Sequence, residues 1–268
     1  MIDSHTHSIH SHDGKATIKS LVKEADRKGL EYFAITEHLD KDYQFGKMEK
    51  LCRQLDLPLY KKHFNKVKQQ YKGNTYIAFG IECGYDKRLE DYYNNIIETY
   101  DFDVVINSVH TLNGIEAYYG DIFKNTTQDE VYNKYLDTLI DCASAKYNFN
   151  IVSHIGYITR YANYQNNLLY QDRFKSKIDT LLKIIIDRDK TLEVNTHINT
   201  NGLQFLPEVE ILQRYYDLGG RNITFSSDAH KYKFVADKYD IVKKVVKEIG
   251  FTKWTVYKKQ QPFKIGID

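Results

Sequence analysis

The chain has 268 residues and 42% hydrophobic content, enough for one sizeable core and within the length that α/β barrels reach undivided. Its 38 basic and 36 acidic residues are interspersed and leave a formal net charge of +2, which argues against a duplex-binding or membrane-surface protein and suits a small substrate. Three widely spaced cysteines (Cys52, Cys83, Cys142), an N-terminus without a basic-then-apolar leader and the lack of any apolar run of roughly 18 residues point to a cytoplasmic, non-membrane protein.

Short β-branched runs alternate with segments of helical periodicity, the rhythm of βα units around a parallel sheet. The predicted strands are residues 1–5, 31–37, 75–82, 103–109, 150–154, 191–196 and 222–227. After the first, Thr17 is placed to cap a helix in which Ile18, Leu21, Val22 and Ala25 recur at helical spacing, with Gly29 just past its end. Residues 39–73, rich in Lys, Gln and Tyr, break the rhythm and read as a long loop over the mouth of a barrel. Thr127 and Glu130 have capping-box spacing ahead of the stripe Tyr132, Tyr135, Leu136, Leu139 and Ile140. A second irregular stretch, rich in Tyr and Asn, covers 156–171. Ile178, Leu181, Leu182 and Ile185 mark the next helix, and Tyr239, Val242, Val246 and Ile249 the last, stopped by Gly250. No repeat or Pro/Gly linker interrupts the chain, so one domain is expected over residues 1–268.

A metal-competent side chain stands at or just beyond the end of nearly every predicted strand: His5 and His7, His38, Glu82, His110, His154, then Asp228 and His230. In a parallel barrel those ends converge on one face, so the set predicts a single metal site there. His5 and His7 are one residue apart, and in a strand they face the same side, as Asp228 and His230 do. Imidazole and carboxylate ligands suit zinc, manganese or iron, and no Cys-x-x-Cys pair offers a thiolate alternative. Glu82, alone among apolar neighbours, fits a carboxylate bridging two cations.

Taken in order, Asp3-Ser4-His5-Thr6-His7-Ser8, Thr36-Glu37-His38, Gly80-Ile81-Glu82, Ser108-Val109-His110, Ser153-His154-Ile155-Gly156 and Ser226-Ser227-Asp228-Ala229-His230 resemble the polymerase and histidinol phosphatase (PHP) superfamily. The resemblance spans residues 3–230 and implies a distorted (β/α)7, TIM-like α/β barrel with two or three divalent ions at the C-terminal ends of its strands. Carried over by position, it implies that His5, His7, Glu82 and Asp228 hold one ion, Glu82, His110 and His154 a second, and His12, His38 and His230 a third. The superfamily often has Ser-Asp-Gly where this chain reads Ser11-His12-Asp13-Gly14. His12 takes the aspartate's place in that register, with His10 or Asp13 as alternatives. The undecorated barrel and Leu192-Glu193-Val194-Asn195-Thr196 look like the histidinol-phosphate phosphatase branch of histidine biosynthesis, which removes phosphate from L-histidinol phosphate.

The expected chemistry is in-line attack on phosphorus by a water or hydroxide activated between metals, with Glu82 and Asp228 at its centre. Arg160 is the candidate guanidinium fork on the phosphate. His197 is the candidate phosphate contact or leaving-group acid, and Asn195 orients it or the substrate. Acidic and aromatic residues of the mouth loops are expected to meet the amine and imidazole of histidinol; Glu116, Tyr161 and Tyr164 stand on those loops, and the sequence does not choose among them. A nucleotide, a nucleic-acid end or a phosphotyrosine is the alternative ester, and a metal-binding regulator without turnover is the alternative of another class.

Overall fold

The computed structural model describes residues 1–41, 54–197 and 203–267. Seven parallel strands pair in chain order: β1 (Ile2–Asp3), β2 (Tyr32–Leu39), β3 (Tyr76–Gly84), β4 (Val104–Ser108), β5 (Ile151–Val152), β6 (Thr191–Asn195) and β7 (Ile223–Ser226). The first and last strands also meet. Ser4 N donates to Phe225 O at 3.0 Å and Asp228 N to His5 O at 2.9 Å, so the sheet curls into a nearly closed, distorted TIM-like barrel. All seven expected strands are present, although β1 and β5 are only two residues long; β5 ends before His154 leaves the extended region at φ 22°. Gly80 lets the central strands approach, because a Cβ there would sit 2.6 Å from Thr36 Cγ2 and 2.7 Å from Val104 Cγ1.

The surrounding helices are α1 (Ile18–Arg27), α2 (Leu57–Gln70), α3 (Glu90–Thr99), α4 (Gln128–Ala143), α5 (Lys175–Asp187), α6 (Val209–Asp217) and α7 (Tyr239–Ile249). Helix α1 forms as the periodicity demands: Thr17 accepts from Ser20 N, and Ile18, Leu21, Val22 and Ala25 are buried. Each large side chain so buried contributes roughly 1.5–3 kcal/mol. Helix α4 carries the reciprocal Thr127–Glu130 capping box.

Helices α2, α3 and α6 were not anticipated. The stretch 39–73 is not all loop: Asp56 caps α2 through Leu59 N, but only Leu57, Tyr60 and Phe64 face inward among many lysines and glutamines, too thin a stripe to register as periodicity. Residues 42–53 of that stretch, with Cys52, lie outside the described residues. The C-terminal hairpin β8 (Lys253–Lys258) and β9 (Gln261–Gly266) was likewise missed. Tyr257 on β8 bonds Thr191 Oγ1 at 2.8 Å and Asn150 O at 3.3 Å, and its carbonyl accepts from Tyr32 OH. Those partners stand at or before strand starts, so the hairpin plugs the N-terminal end and function is left to the opposite face. No helix among the described residues is long and apolar enough to cross a membrane.

Candidate metal centre

The C-terminal strand ends surround a cavity of about 570 Å³. Glu82, 1% exposed near the end of β3, lies at its floor. Parallel register places His38 of β2 directly opposite Glu82, and their Nδ1 and Oε2 atoms are 2.7 Å apart. The two carboxylate oxygens face different partners. Oε2 lies 3.2 Å from His5 Nε2 and 3.5 Å from His7 Nε2, whereas Oε1 lies 3.1 Å from His110 Nε2 and 3.0 Å from His154 Nε2. Asp228 Oδ1 completes the first group, 3.2 Å from His7 Nε2.

Ligand atoms within 4.8 Å of one another unite His5, His7 and Asp228, and likewise Glu82, His110 and His154. They also unite His7, His38 and His230; His38, Asp40 and His110; and His197, Asp228 and His230. The sequence therefore led to residues that do share one floor. Two of them, His154 and Asp228, adopt positive φ, at 22° and 51°, a backbone strain that clusters at functional sites.

The donor set fits cations. Glu82 Oε2 and Asp228 Oδ1 are buried without a hydrogen-bond partner, an expensive arrangement for carboxylates unless a cation lies between them. His5 Nδ1 is 2.7 Å from Glu193 Oε1, which as a carboxylate only accepts, so the neutral ring carries its proton on Nδ1 and its lone pair on Nε2. That nitrogen lies 2.9 Å from His7 Nε2.

Electrostatics splits the imidazoles. Burial opposes charge on His5 and His38, but Glu82 raises both well above the ordinary value of 6.5, with Glu193 and Asp228 adding to His5 and Asp13 to His38. His110, also buried, is pushed up to about 10 by Glu82 and Asp40. His7 is held well below 6.5 by burial and by His38 and His230. Despite burial, Glu82 is held well below the usual carboxylate range by His5, His110 and His38. Asp228 behaves alike beside His5 and His197.

The loop after His7 separates the three candidates for the remaining position. His10 turns away to His63, with Nε2 and Nδ1 3.1 Å apart. His12 lines the cavity, its ring 5.3 Å from that of His38. Asp13 reaches further in, 3.0 Å from His230 Nε2 and 3.6 Å from His38 Nε2, with Oδ1 lacking a hydrogen-bond partner. Gly14 permits this turn, because a Cβ there would fall 1.8 Å from Ser8 O.

Arg160 is only 8% exposed, in a 3-10 turn of the stretch 156–171. One guanidinium nitrogen donates to Asn195 Oδ1 at 3.0 Å, Nε has no partner, and the group lies over the Tyr157 ring. His197 lines the cavity, anchored by Nδ1 to Asp228 O at 2.8 Å. Glu116 is buried at the cavity wall, where it accepts from Tyr157 OH at 2.9 Å; Tyr161 also lines the wall. Tyr164 is not part of this wall: its ring packs against Phe123 and Tyr132, and its hydroxyl bonds Thr126 O.

Sequence reasoning passed over Glu193, which holds His5 Nδ1 and His154 N, and Asp40, 3.3 Å from His110 Nδ1. Glu193 shares a face of β6 with Asn195, two residues on, and Asp40 stands two residues after His38, just past the end of β2. The same two-residue spacing that marks His5 and His7 relates Glu193 to Asn195 and His38 to Asp40.

Known proteins resemble this chain over most of its length. A family model described as the PHP domain matches residues 3–197. A protein of Clostridium acetobutylicum named "Probable histidinol-phosphatase" is 33% identical over 230 residues, 86% of each chain. The histidinol-phosphatase of Lactococcus lactis subsp. lactis is 29% identical over 251 residues, 93% of this chain and 91% of that one. A crystal structure of histidinol phosphate phosphatase from Lactococcus lactis, complexed with zinc, L-histidinol and phosphate, superposes with a TM-score of 0.88 at 28% identity and 98% coverage of both chains.

Proposed function

The chain belongs to the PHP domain family, and from that premise we propose that it is a histidinol-phosphatase that hydrolyses L-histidinol phosphate to L-histidinol and phosphate. The observation that carries this reading is the split carboxylate of Glu82, with one oxygen toward His5 and His7 and the other toward His110 and His154. A carboxylate so placed would serve as a ligand to both groups at once if each held a cation. We assign one ion to His5, His7, Glu82 and Asp228 and a second to Glu82, His110 and His154. His38, His230 and Asp13 form the third set, with Asp13 chosen because its carboxylate lies 3.0 Å from His230 Nε2 and 3.6 Å from His38 Nε2. Zinc is the preferred metal, on the nitrogen-rich ligand set and the zinc in the Lactococcus enzyme. When bound, such ions supply Lewis acidity at the phosphate oxygens and lower the pKa of water.

The chain's own groups do the rest. Arg160, held against Tyr157 and by Asn195, presents its remaining N–H donors to the phosphate. An oxygen–phosphorus bond forms from water, which gives up one proton, as the ester bond to the histidinol oxygen breaks and the departing alkoxide takes one up. His197 supplies that proton from Nε2 in its cationic form, since Nδ1 is committed to the Asp228 carbonyl. The carboxylate of Glu116, among Tyr157 and Tyr161, offers the counter-charge for the cationic end of the substrate. The buried free thiols of Cys83 and Cys142 suit the reducing cytoplasm, where we place the enzyme as a single domain.

Phosphate release from L-histidinol phosphate, measured beside mononucleotides, single-stranded DNA and a phosphotyrosyl peptide, tests the substrate. Preferential turnover of histidinol phosphate is expected. Turnover of another ester alone would overturn the assignment while keeping the metal floor.

A further inference from the structure

His5 and His7 present Nε2 to the same point but are braced from behind in different ways. His5 leans directly on a carboxylate, whereas His7 Nδ1 meets the hydroxyl of Ser11 at 3.1 Å. Ser11 is 3% exposed, and its Oγ has two further neighbours: Glu37 Oε2 at 2.5 Å and the backbone N–H of His38 at 3.0 Å. Glu37 is fully buried and also receives the backbone N–H groups of Ser8 and Ser11 and the Ser8 hydroxyl.

The proton count settles the direction of each bond. A carboxylate accepts only, so the single Ser11 proton goes to Glu37. The His38 N–H can only donate, and it occupies one Ser11 lone pair. The other lone pair then takes a proton from His7 Nδ1, and the hydroxyl is fully used.

We propose that Ser11 is a positioning residue that links Glu37 to His7, fixing the tautomer in which His7 Nδ1 is protonated and Nε2 is aimed at the metal floor. The relay does for His7 what Glu193 does directly for His5. Because Ser11 also binds His38 N, the same hydroxyl joins the first metal group to the start of the third. A hydroxyl rather than a carboxylate beside His7 keeps that ring orientated without adding another negative charge to a floor that already holds Glu82, Asp228 and Glu193.

The inference rests on His7 as a metal ligand, and zinc affinity, measured by competition with a chromophoric chelator, keeps the two readings apart. Ser11→Ala should weaken zinc binding about 10- to 100-fold, and Ser11→Thr, which keeps the hydroxyl, should restore most of it. In zinc-loaded wild-type protein labelled with 15N in histidine, His7 Nδ1 should give the shift of a protonated nitrogen. A wild-type chain without zinc affinity would sink the ligand reading and the relay together. Unchanged affinity in a folded Ser11→Ala protein, or an unprotonated His7 Nδ1, would overturn the relay alone.

Discussion

The floor of the cavity and its tyrosine-rich wall are built on opposite plans. The floor is fixed by strand ends, and several of its imidazoles are braced from behind by a second polar group: His5 by Glu193, His110 by Asp40 and His7 by Ser11. The wall belongs to connecting segments, where Tyr118 is 64% exposed and Arg160 is held through a side-chain amide and an aromatic face. On the proposed reading, preorganised charge sits where bonds change and aromatic surface where the rest of the substrate is read. Substitutions in the floor should cut metal binding and kcat, whereas substitutions in the wall should act on kcat/KM and substrate choice.

The largest effect is expected at Glu82. Glu82→Gln removes the charge shared by the two groups, and kcat/KM should fall by about 10³-fold or more, with loss of bound metal detected by elemental analysis. Glu193→Gln replaces an acceptor-only carboxylate behind His5, and zinc affinity should drop about 10- to 100-fold in a chelator competition. In the wall, Arg160→Lys keeps the charge but loses the planar fork, so kcat/KM for histidinol phosphate should fall roughly 10- to 100-fold with metal content unchanged.

Proton linkage sharpens the comparison further. In the metal-free chain His5 and His38 lie well above 6.5 and His110 at about 10, so these rings hold protons at neutral pH that a cation must displace. Zinc uptake near pH 7 should therefore release protons, and affinity should fall as pH is lowered. Calorimetry in two buffers of different ionisation enthalpy measures this directly; a heat independent of buffer would refute it. The smallest effect lies far from both regions. Thr127→Ala removes the capping box of α4 and should lower stability by about 1 kcal/mol in a denaturant titration while leaving kcat untouched.

The floor was legible in the sequence because strand ends carry their chemistry in local patterns: His5 with His7, and Asp228 with His230, announce themselves by spacing, and seven strands in order bring them together. The braces were not legible. Ser11 and Glu37 lie 26 residues apart and meet only through the β1–β2 neighbourhood, and Glu193 reaches His5 across 188 residues. The wall was partly legible: the Tyr-rich stretch did supply Arg160 and Tyr161, but nothing local distinguishes Tyr161 from Tyr164, which long-range packing sends against Phe123 and Tyr132. Helices α2 and α3 escaped for a different reason, since α2 buries three side chains and α3 only two, and tertiary contact rather than amphipathic pattern holds them.

The most direct test of the central claim is phosphate release from L-histidinol phosphate by chelator-stripped protein, before and after zinc is restored, in wild type and Glu82→Gln side by side. Activity that is absent when stripped, returns with zinc in wild type and fails to return in the variant is the predicted result. Undiminished turnover by the stripped wild-type chain, or by Glu82→Gln, would contradict a reaction centred on this floor.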